Sequence, residues 1–245
     1  MAGHSKWNNI KHRKAGQDAR RGKIFTKIIR EITIAAREGG GVIEDNPGLR
    51  NIVDKAKAVQ MPKDTIERAI ARGTGEGDDA ELIRLTYEGY GPGGIAILVE
   101  TMTDNKNRTV AEVRYAFNKG GGNLGTDGSV AYLFNRQGQI YLGSAADPDK
   151  LMEAALEAGA EDIDFDEEGI PEISTAPEEL MKVKEFLRDA GYQIESAELA
   201  MVPTTLTQLD AETGEKVMNL LELLEDLDDV QNVYTNASFP EDMSG

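Results

Sequence analysis

The hydrophobic period of this chain, about four residues throughout its first part, first drops to two after a glycine-rich break at Gly73, Gly75 and Gly77. Apolar residues at helical spacing cannot share one face of a strand, and alternating ones cannot share one face of a helix. The chain is therefore bound to a helical part first and sheet parts afterwards, an α+β multidomain protein. Upstream of the break, Ile24, Ile28 and Ile32 recur at spacing four beside Phe25, Ile29 and Ala36, and Gly39-Gly40-Gly41 stops the run, which predicts a helix over about 22–38. Asn46 before Pro47 is a cap with proline at the first helical position, and Leu49, Ile52, Val53 and Ala56 form the stripe of a helix over 47–59. Pro62 repeats the device, and Ile66, Ala69 and Ile70 face inward on a third helix ending at Gly73. Residues 23–76 are thus a three-helix domain.

Downstream, strands over 82–87 and 95–100 flank Gly89-Tyr90-Gly91-Pro92-Gly93-Gly94, a hairpin loop. A helix over 107–118 buries Val110, Val113 and Phe117, and a strand follows near Val130 to Phe134. From Gln139 the order is strand (139–142), helix (148–158), strand (161–166), strand (170–175), helix (177–189), strand (192–201), which is the split βαβ, ferredoxin-like unit. A last helix over 213–226, striped by Val217, Leu220, Leu221 and Leu224, and a strand near Val230 to Tyr234 remain. Alone they bury nothing, so they return to the first sheet. Residues 77–136 plus 205–240 make a first α+β domain, into which the ferredoxin-like domain, 137–204, is inserted.

Charge divides the chain as sharply as periodicity does. Residues 1–30 hold nine Lys or Arg against Asp18 alone, a net of +8, whereas the whole chain carries −17, which leaves −25 for the rest. With a screening length of about 8 Å at physiological salt, an acidic body does not cancel a basic segment that touches phosphate. Residues 1–22 read as a basic arm, mobile or partly helical when free. Lys6, Trp7, Lys11, His12, Arg13 and Lys14, followed by Arg20, Arg21, Lys23 and Lys27, combine cations, hydrogen-bonding groups and one large aromatic, the mixture that neutralises phosphates and stacks on bases. Trp7 is the single tryptophan, and its competing role is a core anchor that docks the arm.

Other chemistry fails on context. Gly89, Gly91 and Gly94 satisfy G-x-G-x-x-G, but Ile95-Ala96-Ile97-Leu98-Val99 after them is a strand where a dinucleotide site needs a helix. Lys119 and Gly120 to Gly122 end a helix rather than open one. Asp162, Asp164 and Asp166 alternate like calcium ligands, but Glu167 stands where the loop needs glycine and Ile173 where it needs glutamate; a strand with one wet face explains them. Glu222, Glu225, Asp226, Asp228 and Asp229 read as the solvated side of the last helix. Asp104, Asn105, Asn107 and Arg108 stand between strand and helix, with Asn105 a favoured N-cap. There is no cysteine, and His4 and His12 both fall in the arm, so thiolate sites, disulfides and a histidine base on a rigid scaffold are excluded. The chain is read as non-enzymatic, with no cofactor, no metal and no catalytic residue. No apolar run approaches eighteen residues and no secretory pattern precedes the arm, so the expected location is the cytoplasm, with no membrane partner.

Ala2-Gly3-His4-Ser5-Lys6-Trp7, Arg20-Arg21-Gly22-Lys23-Ile24-Phe25-Thr26-Lys27, Met61-Pro62-Lys63-Asp64, Tyr87 to Gly94, Thr103 to Thr109, and Leu124-Gly125 with Gly128-Ser129-Val130 together carry a resemblance that runs the length of the chain. The chain resembles the YebC/PmpR family. The resemblance implies a helical domain and two α/β domains in a bacterial cytoplasmic protein of the kind described as DNA-binding transcriptional regulators. It also implies a second reading, because mitochondrial relatives activate translation and some bacterial members resemble ribosome-associated factors. The expected partner is nucleic acid: DNA on the first reading, ribosomal RNA with ribosomal proteins beside the acidic domains on the second. Helices two and three lack the tight glycine turn of a helix-turn-helix, so sequence-specific duplex readout does not follow from the pattern.

Overall fold

The computed structural model describes residues 18–75, 82–143, 147–165 and 169–240, and side chains from residue 22 onward. It divides into two compact units, Leu133–Leu206 and the described residues on either side of that segment.

In the flanking unit, α1 (Asp18–Gly39), α2 (Pro47–Ala58) and α3 (Lys63–Gly73) close around Ile28, Ile32, Leu49, Val53, Ala56, Met61, Ile66 and Ala69. The first helix begins by Asp18, so the end of the segment read as an arm, up to residue 22, is already helix. Asn46 ties two helices together. Its Oδ1 accepts the Leu49 amide at 3.0 Å while its Nδ2 donates to the Ala35 and Gly40 carbonyls at 2.9 Å, so one side chain satisfies groups left open at the end of α1 and the start of α2. Gly73 permits α3 to cross α1 closely, since a Cβ there would meet the Thr33 carbonyl and lie 2.7 Å from the Ala36 methyl.

The sheet of this unit runs β3-β1-β2-β9, all antiparallel, from β1 (Ile83–Tyr90), β2 (Ala96–Thr103), β3 (Asn123–Leu124) and β9 (Val230–Thr235). The glycine run 89–94 is the hairpin between β1 and β2, with Tyr90 opposite Ala96. Helices α4 (Lys106–Lys119) and α7 (Ala211–Glu225) pack on each other and on the sheet through Val113, Phe117, Val217, Leu220 and Leu224. Gly89 makes room for that layer, as a Cβ there would lie 2.6 Å from the Phe117 ring. A short parallel pair, β8 (Thr207–Gln208) with β10 (Ala237–Ser238), completes the unit.

The segment 133–206 carries β4 (Phe134–Leu142), α5 (Pro148–Ala158), β5 (Asp162–Phe165), β6 (Pro171–Thr175), α6 (Leu180–Asp189) and β7 (Ile194–Pro203). Its antiparallel sheet, β5-β6-β4-β7, has the ferredoxin-like order, with Ile140, Leu142, Leu151, Ile173, Val183 and Leu187 between sheet and helices. The chain enters this unit from one sheet domain and returns to it, so the insertion is real. One expectation fails: there is no strand over 130–134. Ala131–Leu133 is a turn of 3₁₀ helix, and Phe134 already starts β4, which belongs wholly to the inserted sheet. No helix among the described residues is long and apolar enough to cross a membrane.

Candidate nucleic-acid interface

Of the residues expected to bind nucleic acid, Lys6, Trp7, Lys11, His12, Arg13 and Lys14 lie outside the described residues. Arg20 and Arg21 stand in the first turn of α1, their side chains likewise outside the description. Lys23 and Lys27 are resolved, and with Arg30 they occupy positions i, i+4 and i+7, one face of the helix. That face meets the C-terminal end of α7. Lys23 Nζ donates to the Asp226 carbonyl at 3.0 Å and pairs with its carboxylate at 3.1 Å, and Lys27 Nζ donates to the Glu225 carbonyl at 3.1 Å. Arg30 donates to the Asp228 and Met102 carbonyls. A helix leaves its last carbonyls unsatisfied and carries partial negative charge at that end, so three cations side by side are what such an end accepts. The inner cations of the basic segment therefore hold the helical part on the sheet domain.

Arg30 ends this row on a buried carboxylate. Asp229, 1% exposed, pairs with Arg30 at 3.0 Å and with Arg108 at 2.9 Å, and accepts from Thr109 Oγ1 at 2.7 Å and Thr103 Oγ1 at 3.2 Å. Burial pushes its pKa up, but the hydrogen bonds from Arg108 and Thr109 and the positive charge of Arg30 and Arg108 outweigh that and hold it below the ordinary carboxylate range. The expectation that 222–229 is a uniformly solvated acidic face is thus corrected at Asp229, which turns inward one residue before β9. The polar group after β2 serves the same joint. Asn105 Oδ1 caps α4 by accepting the Arg108 amide at 3.1 Å, and Asp104 holds the Arg108 guanidinium at 2.9 Å from its other side.

The glycine segments offer no phosphate cradle. The backbone amides of Gly128, Val130 and Ala131 do converge as a nest does, but the Glu88 carboxylate fills it at 2.6–2.7 Å. Burial raises the pKa of Glu88, and these three amides together lower it further than burial raises it. Asp162 and Asp164 lie on β5, alternating with Ile163 and Phe165, which pack inward, the wet-faced strand anticipated in place of a calcium loop; Asp166 lies outside the described residues.

Two family profiles match in tandem: TACO1/YebC protein N-terminal domain over residues 5–76, and TACO1/YebC second and third domain over residues 82–237. The chain belongs to the TACO1/YebC family. A relative from Hahella chejuensis, named "Probable transcriptional regulatory protein", is 63% identical over 243 residues, 99% of this chain and 98% of that one. The Pseudomonas aeruginosa "Transcriptional regulatory protein PmpR" is 58% identical over the same shares of both chains. The crystal structure of a conserved hypothetical protein from Aquifex aeolicus superposes with a TM-score of 0.86 at 47% identity, covering 93% of this chain and 94% of that chain. Relatives named as transcriptional regulators support a regulatory role. The TACO1/YebC N-terminal match begins at residue 5, so it takes in the basic segment from Lys6 onward. What sequence reasoning missed in this family member is the joint of Arg30, Arg108 and Asp229. The i, i+4, i+7 spacing of Lys23, Lys27 and Arg30 was its visible signal, and the partner, in an acidic run 200 residues away, had none.

Proposed function

We propose that this protein is a non-enzymatic regulator that binds nucleic acid, in the first place DNA as a transcriptional regulator, through the basic segment preceding the packed part of α1. The partition of charge carries the reading. Residues 31–75 balance seven Lys or Arg against seven Asp or Glu, so the +8 of the N-terminal thirty is the charge of the whole helical part, and everything beyond it sums to −25. Along the sequence, only the first thirty residues carry a net charge that attracts a polyanion. The names of the relatives, transcriptional regulatory proteins, support DNA as the target class. Because Lys23, Lys27 and Arg30 have partners at the end of α7 and in the turn that follows it, the phosphate contacts fall to Lys6, Lys11, Arg13, Lys14, Arg20 and Arg21, with Trp7 and His12 among them.

The same observation supports a second reading, a ribosome-associated translation factor that inserts the arm into ribosomal RNA. With its cationic face against α7, α1 is poorly placed to enter a major groove, whereas a short cationic arm suits a folded RNA, and an acidic body sits easily beside basic ribosomal proteins. Gradient sedimentation with crosslinking, comparing the intact chain with one lacking residues 2–17, separates the two. Crosslinks to DNA at defined sites, abolished by DNase and by the deletion, support the transcriptional reading. Arm-dependent crosslinks to ribosomal RNA with RNase-sensitive co-sedimentation support the other. Crosslinks that survive the deletion overturn both.

A further inference from the structure

Beyond residue 75 the chain holds eleven Lys or Arg against thirty-six Asp or Glu, and four of those eleven, Lys106, Arg108, Arg114 and Lys119, fall in the fourteen residues of α4. With Glu112 its only acid, the helix carries +3 inside a part of the chain that sums to −25. Burial separates what these cations do. Thr109, Val113, Ala116 and Phe117 face the core, which leaves Asn107, Ala111, Arg114, Tyr115, Asn118 and Lys119 on the outward side, all exposed and none acidic. Arg108 beside them is committed to Asp229 and Asp104. Lysines exposed on the later helices pair with an acid three or four residues before them: Lys150 with Asp147, Lys182 with Glu179 and Lys216 with Glu212. Arg114 and Lys119 have no such partner among the described residues, and the positions three and four away from Arg114 hold Val110, Ala111, Phe117 and Asn118. The helix dipole favours a cation in the last turn, which accounts for Lys119, but neither the dipole nor a neighbouring charge accounts for Arg114.

A second observation says what the face accepts. Tyr115 is 65% exposed, and Lys119 Nζ stands over its ring, 5.8 Å from the centroid. An exposed aromatic needs no explanation by itself. Held beside one cation and next in sequence to another, however, the ring offers the two contacts that an unpaired nucleotide takes, stacking for its base and positive charge for its phosphate. Ala111, one turn before Tyr115, keeps the surface low beside the ring. Duplex DNA holds its base faces against each other and offers none to Tyr115, whereas RNA loops and ends do. Asn107 and Asn118 add amides to the same face, suited to the 2′-hydroxyl groups of RNA.

We propose that the outward face of α4 is a contact surface for single-stranded RNA, with Tyr115 stacking on a base and Arg114 and Lys119 neutralising the phosphates beside it. The inference rests on the reading of the protein as a nucleic-acid binder and adds a contact on the folded surface. Two cations and one ring, within a part that sums to −25, do not hold a strand alone, so the effect is read in the intact chain.

The probe is an oligouridylate of about 12 nucleotides, within the range of single-strand site sizes, titrated against the intact chain over a series of salt concentrations. Tyr115→Ala is expected to weaken binding about tenfold at every salt concentration with the salt slope unchanged, and Tyr115→Phe, which keeps the ring, to bind as the parent does. Arg114→Ala with Lys119→Ala is expected to lessen the slope by about 1.4. Lys150→Ala with Lys182→Ala removes the same charge from paired lysines and is expected to leave the slope in place. With 5-iodouridine in the strand, ultraviolet crosslinks on the parent chain are expected at Tyr115, a readout that needs no variant to fold. Equal losses of slope from the two pairs overturn the proposal, because net charge and not this face would then be at work. So does a Tyr115→Ala loss as large on a duplex of about 20 base pairs, where no base is free to stack. A parent chain that binds the duplex but not the strand, or binds the strand with no crosslink at Tyr115 and no loss in these variants, refutes the inference alone. A parent chain that binds neither refutes the nucleic-acid reading with it.

Discussion

Asp229 holds two arginines from different elements, and the consequences of removing it follow from what each loses. Arg30 keeps its carbonyl partners but faces an apolar gap, Arg108 keeps Asp104, and both threonine hydroxyls lose an acceptor. Breaking a buried pair by removing one member costs about 3–5 kcal/mol. Because Arg108 is half-exposed and both arginines keep a partner, Asp229→Ala is expected to lower the unfolding free energy by about 3 kcal/mol, and Asp229→Asn by less. Urea unfolding measures it, and a change below about 0.5 kcal/mol would show that the joint is not a source of stability. Asp229 and Glu88 also set the acid limit. Both have folded pKa values below their unfolded ones, near 3.9 and 4.3, so their stabilisation is complete above those values and is lost as pH falls through the folded pKa. The melting temperature should therefore drop steeply below about pH 4. In the Glu88→Gln chain, where an amide NH₂ opposes amide donors, stability should already be lower at pH 7, by about 1–3 kcal/mol, and should fall less on acidification. Parallel profiles for the two chains would refute that account.

At the scale of elements, the row Lys23, Lys27 and Arg30 acts as a cap for α7 supplied by another helix. Each cation at a helix C-terminus contributes about 0.3–1 kcal/mol. Lys23→Ala with Lys27→Ala should speed amide exchange in the last turn of α7 and the first turns of α1, leave the core helices protected, and barely change the salt dependence of DNA binding. Equal losses in the salt slope for this pair and for Lys11→Ala with Lys14→Ala would return Lys23 and Lys27 to the phosphate contacts. The elements themselves were largely legible. Asn46-Pro47, Asn105 and Asp147-Pro148 each start a helix by a local device, an oxygen that caps an open amide or a proline that needs none, and local devices can be read from a sequence. The failures are tertiary. Two-residue β3 pairs with β1 at Gly89 and Tyr90, and the strand expected over 130–134 is a turn, with the Val130 and Ala131 amides given to the Glu88 carboxylate instead of to a ladder. Asp229 resembled its acidic neighbours since nothing local marks which carboxylate of a run turns inward; the two arginines that select it lie 121 and 199 positions earlier.

For the molecule as a whole, +8 in the first thirty residues, balance over 31–75 and −25 beyond make binding conditional on the arm in a way that salt reveals. If about five cations of the arm neutralise phosphates of duplex DNA, log affinity falls with log salt at a slope near −4.5, which is about 500-fold between 50 and 200 mM. An ordinary acidic protein gives the opposite trend, since screening relieves its repulsion from the duplex. The chain lacking residues 2–17 keeps a body that sums to −25, and it should show no binding at low salt, where the intact chain binds best. The two trends measured together make the charge partition testable without knowledge of the target sequence, because the phosphate term is the same for every duplex. A deletion chain that retained the steep negative slope would place the contacts on the folded surface, most directly on Lys57, Lys63 and Arg68 of the helical part, and the arm would lose its role as the anchor. Single substitutions resolve the assignment further. Replacing Lys6, Lys11, Arg13 or Lys14 with alanine should each lessen the slope by about 0.9, whereas removing Trp7 should weaken binding at every salt concentration and leave the slope unchanged, the mark of stacking rather than of charge.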